Sequence, residues 1–157
     1  MKNKNSVIKT LIIGLGNTLI SDDGVGIYVA QECKKLTDFK NATVMEGAMD
    51  GITLLNLFTE YDRVIFIDAV QTGKQEAGYI YRVEPEDFNE TLFPGITHGI
   101  DLVTALELGK KLELTMPGKI VIFAIEAADI STLSETCTPA VREAIPSCIQ
   151  MIIRELD

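Results

Sequence analysis

The feature that most constrains the fold is the alternation of short apolar segments, rich in β-branched residues, with longer amphipathic ones. The short segments are residues 7–13, 42–45, 63–67 and 119–125, and their continuous apolar character is typical of strands buried on both faces of a parallel sheet. Residues 79–83 alternate in polarity, which predicts a strand nearer to a sheet edge. We therefore expect an α/β fold, a three-layer sandwich in which a mostly parallel sheet of about five strands carries helices on both faces.

Three of the predicted helices have recognisable beginnings. Asp50 is expected to cap one helix, Thr138 followed by Pro139 is expected to open the last one, and a third begins after His98. Each of these helices has apolar residues that are expected to face the core. In the helix after Asp50 they are Leu54, Leu55 and Phe58, and in the helix after His98 they are Ile100, Val103 and Leu106, with Leu102 beside them. In the last helix they are Val141, Ile145, Ile149, Ile152 and Leu156.

Size and charge limit the classes of function. The 157 residues have the length of one ordinary domain, so residues 1–157 are expected to form a single domain. A net charge of −9, without any cluster of basic residues, argues against nucleic acids and anionic membranes as partners. No apolar run approaches the roughly 18 to 20 residues of a membrane span, and the first residues do not resemble a signal peptide, so we expect a cytoplasmic protein.

The turn after the first predicted strand is rich in glycine, as phosphate-binding turns are. Its sequence, GLGNTL at residues 14–19, lacks the third glycine of Gly-x-Gly-x-x-Gly, and no Gly-Lys-Ser/Thr of a P-loop follows. Asp22 and Asp23 at the start of the next helix would repel a phosphate. Taken alone, the glycines simply allow a tight turn and the aspartates cap a helix.

Asp68 gives this turn a second interpretation, because it closes the apolar run at residues 63–67. The carboxyl end of a central parallel strand is where α/β sheets bind ligands, and the turn that carries Asp22 and Asp23 opens at the same edge. His98, the only histidine, precedes a predicted helix in a loop of Gly, Pro and Thr rather than lying on an apolar face. Asp101 could orient its imidazole. We therefore expect Asp68 and His98 to converge with a carboxylate of the pair Asp22 and Asp23.

Two carboxylates and one imidazole form a mixed oxygen and nitrogen ligand set that leaves coordination positions open for water or substrate. Such a set suits Ni, Zn or Mn better than Mg or Ca. Alternatives remain at this point: Asp68 as a turn or cap residue, His98 as a structural hydrogen-bonding residue, and a doubly wound small-molecule binder in which the acids only cap helices.

Residues 11–26, with the sequence LIIGLGNTLISDDGVG, resemble the opening signature of the nickel-iron hydrogenase maturation endopeptidases. The resemblance runs along the chain. The segment EGAMDG at residues 46–51 resembles the small glycine loop of that family, residues 66–69 its central aspartate strand, and Thr97-His98 its histidine loop. These are the positions that the residue chemistry selects independently.

The resemblance implies an endopeptidase that removes the C-terminal extension of a nickel-loaded [NiFe] hydrogenase large-subunit precursor. By matching position, Asp23, Asp68 and His98 would be its metal-binding and catalytic residues. The nickel would be supplied by the substrate, and Zn or Cd could substitute for it. The bound metal could locate the scissile bond, polarise its carbonyl or lower the pKa of an attacking water. The alternative function is a non-catalytic nickel-binding or checkpoint chaperone for hydrogenase assembly.

Three positions depart from the pattern of that family. Met49 replaces the usual threonine of the glycine loop, and the Gly-Ile-x-Pro after the last strand reads AIEA at residues 124–127. The segment at residues 129–136 keeps a Leu-Ser but lacks a typical glycine. Since Asp23, Asp68 and His98 are intact, we interpret these departures as variation within the family that affects the fit of the substrate.

Overall fold

The computed structural model describes residues 6–94 and 98–157. The strands are β1 (Thr10–Gly14), β2 (Ala42–Glu46), β3 (Arg63–Val70), β4 (Ile80–Val83) and β5 (Lys119–Glu126). The helices are α1 (Val25–Lys34), α2 (Gly51–Phe58), α3 (Gly99–Lys111) and α4 (Pro139–Leu156), with short 3₁₀ helices at Ser21–Gly24, Thr37–Phe39 and Pro85–Asp87. None of the helices in the described ranges has the length and apolar character needed to cross a membrane.

All five strands belong to one sheet with the order β2-β1-β3-β5-β4. The pairs of β1 with β2, β1 with β3 and β3 with β5 are parallel, and only β4 is antiparallel to its neighbour. This confirms the predicted mostly parallel sheet and places β4 at an edge. In this order, the chain leaves β1 toward β2 on one side and returns to β3 on the other, so the β1/β3 boundary is the topological switch point of the sheet.

Alternating residues of the strands divide between two cores, which explains why the strand segments are continuously apolar. Leu11, Ile13 and Phe66 are fully buried on the face covered by α2 and α3. Ile12 and Ile65, their sequence neighbours, are fully buried on the face covered by α1 and α4. Helices on both faces complete the predicted three-layer sandwich.

The predicted beginnings of α2 and α4 are correct, but only one is capped as expected. The Asp50 carboxylate accepts a hydrogen bond from the Thr53 amide at 2.8 Å, which lowers the pKa of Asp50. The buried residues of α2 are the predicted Leu54, Leu55 and Phe58. Pro139 begins α4, yet the Thr138 hydroxyl does not cap this helix; it donates to the carboxylate of Asp22 instead.

The first predicted strand is too long at its beginning. Sheet pairing starts only at Thr10, where β1 gains both of its neighbours. Val7 and Ile8 precede that pairing and are 80% and 56% exposed. The prediction from apolar composition therefore started the strand three residues before Thr10, where pairing with β2 and β3 begins.

The core-facing positions of α3 and α4 also differ in part from the prediction. In α3 the fully buried residues are Leu102 and Ala105, whereas Val103 and Leu106 are only partly buried, and the side chain of Ile100 lies outside the described part of the structure. In α4, Val141, Ile149 and Ile152 are buried as predicted, joined by the smaller Ala144 and Cys148, while Ile145 and Leu156 are partly exposed. The buried positions of both helices thus include small residues, which a pattern based on large apolar residues does not detect.

The strand at the centre of the sheet continues past its predicted end, so Asp68 lies inside β3. Pairing of β1 with β3 ends at Gly14 and Ile67. Pairing of β3 with β5 continues through Asp68 opposite Ala124. Asp68 therefore occupies the first position at which β3 has lost its β1 neighbour, and one side of the strand is open there.

Candidate active site at the carboxyl edge of the sheet

The structure brings the three predicted site residues together at the β1/β3 boundary. Asp23 lies in the 3₁₀ helix between β1 and α1, Asp68 lies in β3, and His98 immediately precedes α3. Nδ1 of His98 is 3.2 Å from Oδ1 of Asp68, and Nε2 is 3.7 Å from Oδ2 of Asp23. The imidazole is thus placed between two carboxylates that come from different segments of the chain.

Asp68 is the buried member of this triad, which we define as Asp23, Asp68 and His98. Its side chain is 2% exposed, and Oδ1 also accepts a hydrogen bond from the Ala69 amide at 2.9 Å. Burial raises the pKa of Asp68, while the hydrogen bond and charge of His98 act in the opposite direction. The imidazole and the Ala69 amide both compensate for the burial of this carboxylate.

His98 is held mainly by Asp68. The hydrogen bond to this carboxylate is the largest cause that raises the pKa of His98, burial opposes it, and the charges of Asp68, Asp23 and Asp101 add to it. The orienting partner predicted for the imidazole was Asp101. In the structure Asp68 makes that contact, and Asp101 contributes its charge.

Asp23 faces the second ring nitrogen from a more open position. Its side chain is 14% exposed, and burial is the largest cause of a raised pKa, opposed by the charge of His98. The neighbouring Asp22 is fully buried and points away from the imidazole, toward residues 128–138. The acid pair of the sequence therefore separates into one acid at the site and one inside the fold.

The donor chemistry of the triad fits a divalent transition metal, but its side chains are not arranged around a common point. Within residues 6–94 and 98–157, no group of three or more His, Cys, Asp or Glu side chains is placed to hold a metal ion. Nε2 of His98 and Oδ2 of Asp23, which lie 3.7 Å apart, are the atoms that would hold such an ion. Asp68 faces the other ring nitrogen, so it could bind the same ion only if the imidazole turned.

The observed arrangement has a definite chemical capacity. When Nδ1–H donates to Asp68, the lone pair of Nε2 points toward Asp23 and is free to bind a metal or accept a proton. A carboxylate behind a histidine fixes the tautomer and increases the basicity of the other nitrogen. A cation, or a water molecule that gives up a proton, would therefore meet Nε2 and the Asp23 carboxylate 3.7 Å apart.

Sequence reasoning missed another buried carboxylate, which lies at the end of the strand that pairs with β3. Glu126, at the end of β5, is 2% exposed and accepts hydrogen bonds from the Thr72 amide at 2.8 Å and the Tyr81 hydroxyl at 2.7 Å, and also from the Thr72 hydroxyl. It belongs to the segment 124–127 that departs from the family pattern. The available signal was an acid directly after a buried apolar run, as at Asp68. Met49, another departure, packs against the core between the sheet and α2 and α3.

A known protein family matches most of the chain. The sequence model of the HycI family, described as hydrogenase maturation protease, matches residues 27–155. The chain belongs to the hydrogenase maturation protease family. The match includes Asp68 and His98 and begins four residues after Asp23.

Individual members of the hydrogenase maturation protease family are distant in sequence and close in fold. The hydrogenase expression/formation protein HupD of Rhizobium leguminosarum bv. viciae is 26% identical over 156 residues, which cover 94% of this chain and 74% of HupD. The hydrogenase 2 maturation protease of Escherichia coli is 25% identical over 118 residues, 68% of this chain and 71% of that protease. The solved structure of hydrogenase maturating endopeptidase HybD from E. coli has a TM-score of 0.80 at 19% identity, covering 95% of this chain and 92% of HybD, and shows the shared fold.

Proposed function

We propose that the chain is an endopeptidase that removes the C-terminal extension of a [NiFe] hydrogenase large-subunit precursor after nickel has been inserted. The observation that carries this proposal is the position of His98, the only histidine, between Asp23 and Asp68 at the switch point of the sheet. Membership of the hydrogenase maturation protease family supplies the class of reaction.

In this proposal nickel belongs to the substrate, and Asp23, Asp68 and His98 recognise it. A metal already held by the precursor needs only a few ligands from the protease, which suits a site that lacks a closed coordination shell. Nε2 of His98 and the Asp23 carboxylate face a common volume and would be the first groups to contact the ion. Asp68 would support the ring through Nδ1 and would bind the metal directly if the ring turned.

The same side chains could instead act as the general base and general acid of the hydrolytic step. If the nickel is held without His98, Asp68 holds Nδ1 and leaves the lone pair of Nε2 to accept a proton from the attacking water and return it to the leaving amine. Zn or Cd would occupy the nickel position in experiments, because both accept imidazole and carboxylate ligands. The substrate class and the acidic surface also lead us to propose a cytoplasmic location, where the precursor would be found.

The test is cleavage of a nickel-loaded precursor by the purified chain, followed by mass spectrometry of the large subunit. We expect the wild type to remove the C-terminal extension from the loaded precursor and to leave the nickel-free precursor intact. His98→Ala should lower the rate by at least about 100-fold, because it removes the nitrogen that would either bind the nickel or accept the proton. Glu107→Gln, an exposed change on α3, is the matched control and should cleave normally.

Two results would contradict the proposal: absence of cleavage by the wild type, and full cleavage by His98→Ala. Tight binding of the loaded precursor without proteolysis would favour the checkpoint chaperone instead. Melting curves of both variants confirm that the protein is folded when the rates are compared.

A further inference from the structure

Two neighbouring acids in the turn after β1 point in different directions. Asp22 is fully buried, whereas the side chain of Asp23 is 14% exposed and faces His98. Both lie in the 3₁₀ helix Ser21–Gly24, in which successive side chains are about 120° apart around the axis. Fixing the direction of Asp22 therefore also fixes the direction of Asp23.

Asp22 is held by donors from two other parts of the chain. Its Oδ2 accepts hydrogen bonds from the amides of Ala128 and Asp129 at 2.9 and 3.0 Å. Its Oδ1 accepts one from the amide of Thr138 at 2.7 Å, and the Thr138 hydroxyl donates to Oδ2 at 2.8 Å. The carboxylate thus joins the turn after β1 to the segment after β5 and to the beginning of α4.

Backbone hydrogen bonds on either side strengthen this connection. The Asp22 amide donates to the carbonyl of Asp129 at 3.0 Å, and the Ser21 amide donates to the carbonyl of Ser134 at 2.9 Å. Ser21 itself is buried and has a positive φ of 42°, an uncommon conformation for a residue other than glycine. Such a conformation persists only where the surrounding contacts impose it.

We propose that Asp22 is a positioning residue for the proposed protease reaction: its buried carboxylate, clamped by residues 128–129 and Thr138, holds the adjacent Asp23 in contact distance of His98. Asp22 itself does not touch substrate. This inference rests on the proposed function for its catalytic consequence, but its structural part concerns only the arrangement of Asp23 and His98.

Asp22→Asn is the informative variant. The amide keeps the shape of the carboxylate, but its NH₂ group replaces one acceptor and would face the Thr138 amide, donor against donor. The turn should shift and carry Asp23 away from the ring. Because the chain has one histidine, the imidazole signals in a ¹H–¹⁵N spectrum recorded at a single pH report directly on this contact.

We expect Asp22→Asn to move the imidazole signals of His98 toward those of Asp23→Asn, and to lower kcat on the order of 10-fold or more with a smaller change in KM. Ile152→Val, a core change in α4 far from the turn, is the control for lost stability: it should lower the melting temperature and leave both the signals and kcat unchanged. If Asp22→Asn does not fold, Thr138→Val is the second variant, because it removes only the hydroxyl contact with Asp22. It should shift the imidazole signals and lower kcat in the same direction, but by less.

Unchanged imidazole signals in Asp22→Asn, in conditions where Asp23→Asn moves them, would overturn the inference. So would a kcat loss no greater than that of Ile152→Val. Failure of the wild type to cleave the precursor would contradict the proposed function alone, because the spectroscopic comparison does not depend on cleavage.

Discussion

At the scale of single residues, His98 and Asp68 depend on each other. Asp68 is almost completely buried, and a buried carboxylate is costly unless charged or hydrogen-bonding groups surround it. The imidazole supplies one such group, and in return the hydrogen bond to Asp68 raises the pKa of His98 above its ordinary 6.5. The contact therefore links the stability of the fold to the protonation of the group that the proposed reaction uses.

This link predicts the pH dependence of stability in His98→Gln. A histidine whose pKa is raised on folding contributes stability that is fully present below its unfolded pKa of 6.5 and is lost as the pH rises through the folded pKa. We expect wild type to exceed His98→Gln in free energy of unfolding by more at about pH 6 than at about pH 9. Urea denaturation at the two pH values measures the difference.

Glu107→Gln, exposed on the same helix, should follow the pH dependence of the wild type. A difference between wild type and His98→Gln that stays constant with pH would show that the imidazole is held for its shape rather than for its charge.

At the scale of elements, the close approach of α1 to the sheet sets the position of the turn that carries Asp23. Gly26, in the first turn of α1, leaves no room for a side chain, because a Cβ there would lie 2.4 Å from the carbonyl oxygens of Leu15 and Ile67. Both obstacles are backbone atoms next to the β1/β3 boundary. Gly26 thus allows α1 to pack closely against the sheet at the site.

Gly26→Ala should destabilise the protein by at least about 2 kcal/mol, because the helix or the strands must shift to admit the methyl group. Gly51→Ala is the matched control in the first turn of α2, where a Cβ meets only the carbonyl oxygen of Asp101 at an ordinary 3.5 Å. The free energy of unfolding of Gly51→Ala should be within about 0.5 kcal/mol of the wild-type value, or higher. Thermal or urea unfolding of both variants tests this, and equal losses would contradict the packing argument.

The strands and the site residues were predictable for a common reason: both are marked by local chemistry. The run at residues 63–67 is apolar enough to require burial on both faces, and an acid at its end is conspicuous. The limits of β1 and β3 were not predictable, because they depend on where a neighbouring strand begins or stops, as at Thr10 and Asp68. Nothing in the local sequence distinguishes Asp22 from Asp23; their opposite roles arise from residues more than 100 positions away.

At the scale of the whole molecule, the triad joins segments on opposite sides of the sheet. Asp23 precedes α1, which packs on one face with α4, whereas His98 precedes α3, which packs with α2 on the other face. Asp68 lies between them in the central strand. An ion bound between Nε2 of His98 and Asp23 would therefore connect the two helical layers across the carboxyl edge of the sheet, and unfolding either layer would release it.

This arrangement predicts that a divalent ion raises the melting temperature of the free protein. A ligand present at 100 times its Kd stabilises the folded state by about 2.7 kcal/mol, which is about 5 to 10 °C for a domain of this size. Zn²⁺ is the convenient probe, and differential scanning calorimetry of the wild type with and without it measures the shift.

His98→Gln should lose most of the shift in melting temperature, since it lacks the nitrogen ligand, while Glu107→Gln should show the full shift. A shift of the same size in His98→Gln would mean that the ion binds elsewhere, for example to the cysteines, and that the triad does not hold metal without substrate.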